Sequence, residues 1–500
     1  MRDLWAFPSR AATQIALAAA IALVVRLILL RWRHDIDWDG FFYLWQSQNI
    51  LMGDFLHPSP EWTPYPLGYP LAIAVVSKMV MSLEGAGLLV SFLAGVLVLL
   101  PLFALADRIG GRGPAFLATL LVAVNSWLVR YSLSVLAESL FILLLVIWVW
   151  LLVADFRDQR FRPHTLLLFL ISAALVFVRP VALTVLAGGV LLQAFRPSRR
   201  LATALRFALM GLVIAVAYAI YAHAVTGHLQ KLTGQPQPSY ALREMSRGLQ
   251  QHYGDTGNVV PYVPPMSSVT FLRKNALLMV WRYVDTLLTQ LSGGVLLDPL
   301  DKSLGVFPFY LWPFAAVGIW MCASERWRIA PLIALLPYFL VLPLFVADCR
   351  YYVPLVPFFL LYSAVGVEAF AGQLGQRARV ATIVGIILIS FVQAFQFNPH
   401  KSTGLSAYEE IGSWLRQHER PDTVFAYHPA PAYYAGASLM LIQKGQPVSE
   451  ALSLKATQRA QRTFVVAPEN EIQPHAVSLT PVYASQSVYP SRMIAYRVEF

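Results

Sequence analysis

The chain has 500 residues, of which 57% are hydrophobic and 13% charged, and its formal net charge is +11. Soluble domains carry roughly 25% charged residues, so this chain lacks the polar surface to clothe a globule of its size, and a wholly soluble fold is excluded. The excess of Lys and Arg falls in short clusters between apolar runs, which is the pattern of a membrane protein and not of a nucleic-acid groove.

In chain order, eleven stretches are apolar enough to cross a bilayer: Ala11–Leu30, Ala86–Ala106, Pro114–Val129, Leu136–Ala154, Thr165–Val178, Val181–Phe195, Ala202–Ala222, Leu304–Met321, Ile329–Val346, Tyr351–Phe370 and Val380–Phe397. Two of them, Thr165–Val178 and Val181–Phe195, are short of the roughly 20 residues a spanning helix needs. Fused, they would make a helix too long for the bilayer, and Arg179-Pro180 is a natural break between them. The first stretch follows a basic start and has no small-residue cleavage site after it, so it is expected to remain as a span.

Charge sets the orientation. With the N-terminus inside, the segments 1–10, 107–113, 155–164, 196–201, 323–328 and 371–379 are cytoplasmic and hold fourteen Lys and Arg. The three short outer connections hold only Arg130, Arg179 and Arg350. That asymmetry follows the positive-inside rule, with Arg31 and Arg33 as exceptions. The same parity places residues 34–85, 226–303 and 398–500 outside. Leu67–Met81 is apolar, but a span there would invert every later loop, so it reads as a helix lying in the outer interface. Residues 398–500 hold nine Lys and Arg and eight Asp and Glu. Thr423–Tyr427 and Thr463–Val466 read as strands and Glu409–Gln417 and Ala451–Gln461 as helices, a small soluble α/β module. Cys322 and Cys349 fall at opposite faces, so no disulfide is expected.

Three features could carry chemistry. The first outer loop begins His34-Asp35-Ile36-Asp37-Trp38-Asp39-Gly40-Phe41-Phe42-Tyr43, with Gly53-Asp54 and Pro64-Tyr65-Pro66-Leu67-Gly68-Tyr69-Pro70 further on. Three acids within five residues can supply a general base for an acceptor or ligate a divalent metal; they also suit a plain solvated turn. Glu138 stands just inside an otherwise apolar helix, where an acid marks function or answers the helix dipole. The outer arginines Arg31, Arg33, Arg179 and Arg350 suit a lipid phosphate, or snorkel to headgroups. Arg273, Lys274 and Arg282 lie on an amphipathic stretch, Phe271–Leu291, that suits the interface. His57 and Glu61 are candidate acceptor contacts. There is no Walker loop, dinucleotide fingerprint, HExxH or CxxC cluster, hence no signal for ATP hydrolysis, nicotinamide, haem or structural zinc.

Taken together these residues resemble the GT-C glycosyltransferases, nearest to the bacterial protein-mannosyltransferase-like and aminoarabinose-transferase-like enzymes. The matching residues are Asp39 shortly before Tyr43, then Gly53-Asp54, then the Pro-rich run 64–70, then Glu138 at an outer helix start, Arg179-Pro180, and Arg350-Tyr351-Tyr352-Val353-Pro354. The resemblance covers residues 11–397 and implies a polytopic α-helical GT-C-like fold of about eleven transmembrane helices, with outer interfacial helices and the α/β module at 398–500. It implies transfer of a sugar from a polyprenyl-phosphate donor to a lipid, glycan or protein acceptor, on the outer face of a bacterial inner membrane. Asp39 would be the catalytic base and Glu138 a second active-site acid. Asp37, Tyr43, Glu61, Arg179, Arg350 and Tyr351 would contact substrate, the two arginines holding the donor phosphate. Gly40 stands where many relatives have Glu, which argues against a metal-binding acidic pair and leaves Asp37 or Asp39 as the working acid. No cofactor is expected and a metal is not favoured. The rival classes are a lipid or lipid-linked sugar flippase and a surface-polysaccharide polymerase or ligase.

Overall fold

A computed structural model describes residues 9–32, 36–56, 65–80, 82–158, 164–195, 200–233, 270, 273–278, 280–281, 283–284, 306–342, 349–397, 405–442, 452, 462–468, 478–486 and 492–499. In chain order the main helices are α1 (Ser9–Leu29), α2 (Trp38–Leu51), α3 (Gly68–Ser77), α4 (Leu83–Leu97), α5 (Leu99–Gly110), α6 (Arg112–Val124), α7 (Ser126–Ser132), α8 (Glu138–Asp158), α9 (His164–Val178), α10 (Ala182–Ala194) and α11 (Arg200–Thr233). They continue with α12 (Trp312–Cys322), α13 (Ala330–Val341), α14 (Val356–Ala371), α15 (Gln376–Phe397), α16 (Leu405–His418) and α17 (Ala430–Ala435). Five strands close the chain: β1 (Thr423–Ala426), β2 (Ser438–Leu441), β3 (Thr463–Pro468), β4 (Ser478–Ala484) and β5 (Met493–Glu499).

Each of the eleven apolar stretches contains at least one helix among the described residues. Among the described residues six helices are long and apolar enough to cross a membrane, and a seventh span forms if α6 and α7, bent by 57° at Asn125, are counted as one. The described parts of the helices at 166–178, 182–194, 309–322 and 330–341 are shorter than a full span, so helix length alone does not establish the eleven crossings expected from the sequence. Residues 343–346 of the stretch Ile329–Val346 lie outside the described residues. Most of the loop at 226–303, including Arg282, lies outside them too, as do His57 and Glu61.

The chain divides into two units. The first, residues 1–33, 66–223 and 265–399, holds the apolar helices. Gly111, at φ +84°, makes the left-handed step that turns α5 into α6, a conformation costly for any residue with a Cβ. Helices α12 and α14 approach closely through Gly318, which faces Tyr362, and Gly366, which faces Phe314. Leu201, Leu205, Leu209, Leu212 and Ile220 of α11 are exposed, as an outer helix facing lipid requires.

Arg26, in the first span, is fully buried. It donates to Ser132 Oγ at 2.8 Å, Ala123 O at 3.0 Å, and Ala22 O and Gly95 O at 3.2 Å. The carbonyl of Ala123 lies in the last turn of α6, where helix geometry leaves acceptors unused. Arg26 therefore staples α1 and α4 to the bend between α6 and α7.

The second unit comprises residues 34–65, 224–264 and 400–500. Its sheet runs β2-β1-β3-β5-β4, parallel among the first three and antiparallel from β3 onward. Strands β1 and β3 are buried along their length, so they read as unbroken apolar runs, Thr-Val-Phe-Ala and Thr-Phe-Val-Val-Ala. Helices α16 and α17 cover one face through Ala407, Ile411, Leu415, Ala432 and Ala435. The same core includes Phe42 of α2, with Trp38, Trp45 and Tyr65 packed against it, so the first outer loop is built into the C-terminal module.

Candidate functional site

In the second unit, Asp37 occupies the N-cap position of α2 and its carbonyl accepts the Gly40 N–H at 2.8 Å. Asp39 follows in the first turn, where the helix dipole favours a carboxylate. Its Oδ1 accepts the hydroxyl of Tyr65 at 3.0 Å. The Tyr65 ring stacks on Phe42 at 5.4 Å and meets Tyr43 edge-on at 5.1 Å, and its carbonyl accepts the amide of Gln46 at 3.2 Å. Tyr43 is buried. Tyr65 thus fixes the Asp39 carboxylate against the face of α2 formed by residues 39, 42, 43 and 46. The sequence showed Tyr65 only as part of a Pro-rich run.

Trp38 and Phe41 of α2 also border an aromatic box. The His428 ring stacks on Tyr408 at 5.1 Å and receives the edges of Trp38 at 5.2 Å and Phe41 at 5.7 Å. His428 Nδ1 accepts the backbone N–H of Ala430 at 3.2 Å, which places the proton of the neutral ring on Nε2. Burial among these rings lowers its pKa to about 3.

In the first unit, Glu138, Arg179, Arg350 and Tyr351 come together. Glu138 begins α8 and is fully buried. Arg179 stands where α9 ends ahead of Pro180, and its guanidinium pairs with Glu138 Oε1. Glu138 Oε2 is buried with no hydrogen-bond partner among the described residues. The guanidinium groups of Arg179 and Arg350 lie 5.1 and 5.2 Å from the centre of the Tyr351 ring, so one aromatic ring serves two cations. Tyr351 is held in turn by its carbonyl, which accepts the Tyr338 hydroxyl at 2.7 Å. Tyr338 packs on Phe141, one turn after Glu138. Two cations and one carboxylate in an apolar surround leave a net positive centre, a setting suited to an anion.

Of the remaining sequence candidates, Arg31 is exposed in a 3-10 turn after α1, and Arg273 and Lys274 are exposed. Tyr338 and Tyr65 were missed by sequence reasoning. Neither carries a charge, and only their position after folding reveals them. Among the described residues no three His, Cys, Asp or Glu side chains gather as a metal site would require.

The fold is of the GT-C type. The chain is similar to the crystal structure of ArnT from Cupriavidus metallidurans in the apo state, with a TM-score of 0.64 over 98% of both chains at 13% identity. It is similar to the same protein bound to undecaprenyl phosphate, with a TM-score of 0.61 over 97% of both chains at 14% identity. It is also similar to the archaeal oligosaccharyltransferase AglB from Archaeoglobus fulgidus in complex with an inhibitory peptide and a dolichol-phosphate, with a TM-score of 0.56 over 92% of this chain and 69% of that one at 13% identity. No family model and no curated protein sequence matches the chain. At these identities the likeness is one of fold, and the GT-C-like architecture expected from the sequence is the architecture found.

Proposed function

We propose that the chain is a glycosyltransferase that takes a sugar from a polyprenyl-phosphate donor and passes it to a lipid, glycan or protein acceptor at the outer face of a bacterial inner membrane. The N-terminus is cytoplasmic in this reading and the α/β module lies outside. The observation that carries it is the buried Arg179–Glu138 pair beside the half-buried Arg350 and Tyr351, a positive centre set in a fold shared with a protein that binds undecaprenyl phosphate.

The chemistry assigns a role to each group. An acceptor hydroxyl or amine loses its proton to Asp39 as its O or N bonds to the anomeric carbon. The bond from that carbon to the phosphate oxygen breaks, and polyprenyl phosphate leaves with the electron pair. A phosphate is a good leaving group, so it needs positive charge more than a proton. Arg350 and Arg179 supply that charge. Glu138 acts in this reading as the counter-ion that fixes Arg179 and not as a second active-site acid. Inversion at carbon follows from a single displacement. Tyr43 and Glu61 are retained as substrate contacts, and Asp37 as the alternative base. No metal enters this scheme, so transfer is expected to persist in excess EDTA.

The likeness to AglB favours a second reading, transfer of a whole oligosaccharide. Membranes holding the protein, given labelled polyprenyl-phosphate carrying one sugar or a preassembled glycan, separate the two. Label reaching an acceptor from the single-sugar donor supports the first reading. Label moving from the glycan donor alone supports the second, and release from neither removes both.

A further inference from the structure

The non-spanning helix α3 is ten residues long, about 15 Å at 1.5 Å per residue, and covers only half the apolar core of a bilayer. Its first two residues touch the chain on both sides of the Glu138–Arg179 pair. Gly68 faces the last turn of α9. A Cβ there would stand 2.9 Å from both the carbonyl carbon and oxygen of Phe177 and 2.7 Å from Val178 Cγ2. Phe177 lies two residues before Arg179, and its two obstructing atoms are main chain, which cannot rotate away as the Val178 side chain could. Tyr69 reaches the other partner. It is fully buried, its hydroxyl lies 3.1 Å from Gly87 O and 2.8 Å from Ser91 Oγ, and Ser91 Oγ lies 3.1 Å from Leu136 O. Leu136 is in the irregular segment that leads into Glu138. Gly87 keeps α4 close to the same segment, since a Cβ there would be 2.7 Å from Val135 Cγ1.

We propose that Gly68 and Tyr69 are positioning residues for the Glu138–Arg179 ion pair, Gly68 by seating the end of α9 and Tyr69 by anchoring the lead-in to α8 through Ser91. The inference rests on the reading of that pair as part of the donor-phosphate site. A buried ion pair is stabilising only when its geometry is well held, because both charges have given up water.

The test uses the full-length protein in nanodiscs, as wild type, Gly68→Ala and Tyr69→Phe. Cryo-electron microscopy reads the pair directly. Gly68→Ala is expected to displace the Phe177–Arg179 main chain and open the contact with Glu138; Tyr69→Phe is expected to loosen residues 133–137 while every other buried contact stays. In the transfer assay each variant should lose at least tenfold in rate, with the KM for the polyprenyl-phosphate donor altered and that for the acceptor unchanged. A misplacement of about 1 Å in a positioning group costs roughly a hundredfold. Added to Arg179→Ala, neither substitution should lower transfer further, since each acts through Arg179. An intact pair in both variants overturns the proposal, and so do losses that multiply with Arg179→Ala. Should the wild type transfer no sugar, the functional reading falls, and the microscopy still decides whether Gly68 and Tyr69 hold the pair. Tyr69→Phe keeps the ring and its packing, so it serves if Gly68→Ala does not fold.

Discussion

His428 ties the stability of the second unit to pH. Its ring lies between Tyr408, Trp38 and Phe41, none of which is charged at neutral pH, and burial holds its pKa near 3. Unfolding returns it to about 6.5, so the unfolded state takes up a proton between those values while the folded state does not. Stability from this group is therefore complete above pH ~6.5 and is lost as the pH falls toward 3. The slope is about 1.4 kcal/mol per unit, so moving from pH 8 to pH 5 removes about 2 kcal/mol, a factor of roughly 30 in the opening equilibrium. The assay is hydrogen–deuterium exchange of amides 423–442, corrected for the intrinsic effect of pH on exchange, in wild type and His428→Gln. Protection in the wild type should fall by that factor between pH 8 and 5. The variant carries no titrating ring, so it should show the drop from other groups only. Parallel pH dependence in the two proteins would refute the reasoning, because the ring would then be free to protonate in the folded state.

Other outcomes follow from the same geometry. Tyr65→Phe removes the hydroxyl that Asp39 accepts, a charge-assisted bond worth about 1.5–3 kcal/mol, and should slow transfer by roughly ten- to a hundredfold per folded molecule, measured in initial-rate assays. Gly366→Val places a side chain against the main chain of Phe314 and should destabilise the protein by at least about 1–3 kcal/mol, measured as detergent-solubilised thermal unfolding. Gly385→Val, with nothing within 4 Å of its added Cβ, is the control and should unfold like wild type. Arg350→Lys keeps the charge but loses the planar group over Tyr351, so donor KM should rise several-fold while acceptor KM holds, in initial-rate measurements at saturating acceptor.

Sequence reading located helices well because an apolar run longer than ten residues leaves few alternatives to a helix in lipid. It placed β1 and β3 for the same reason, since both are unbroken apolar segments. It missed β4 and β5, whose mixed polar content, with Pro481 in β4, gives no clean alternation. Span number was less legible, because helices such as α10 and α13 are shorter than the apolar core and hydropathy does not say how such a helix sits. At the candidate site, residue types were legible but partnerships were not. Glu138 and Arg179 stood out as costly charges in apolar surroundings, yet their pairing spans 41 positions and needed the fold. The bond from Tyr65 to Asp39 spans 26 positions and joins a residue with no charge to one of several acids. The incorporation of α2 into the C-terminal module, through Phe42 and residues beyond 400, has no local signal at all.

The central claim is that Asp39 accepts the acceptor's proton during transfer from a polyprenyl-phosphate sugar. Membranes with wild type or Asp39→Asn, given a panel of radiolabelled polyprenyl-phosphate sugars and native acceptors, test it most directly. The account predicts label in an acceptor with the wild type and a loss of several orders of magnitude with Asp39→Asn at equal membrane insertion. Transfer by Asp39→Asn at near the wild-type rate would contradict it.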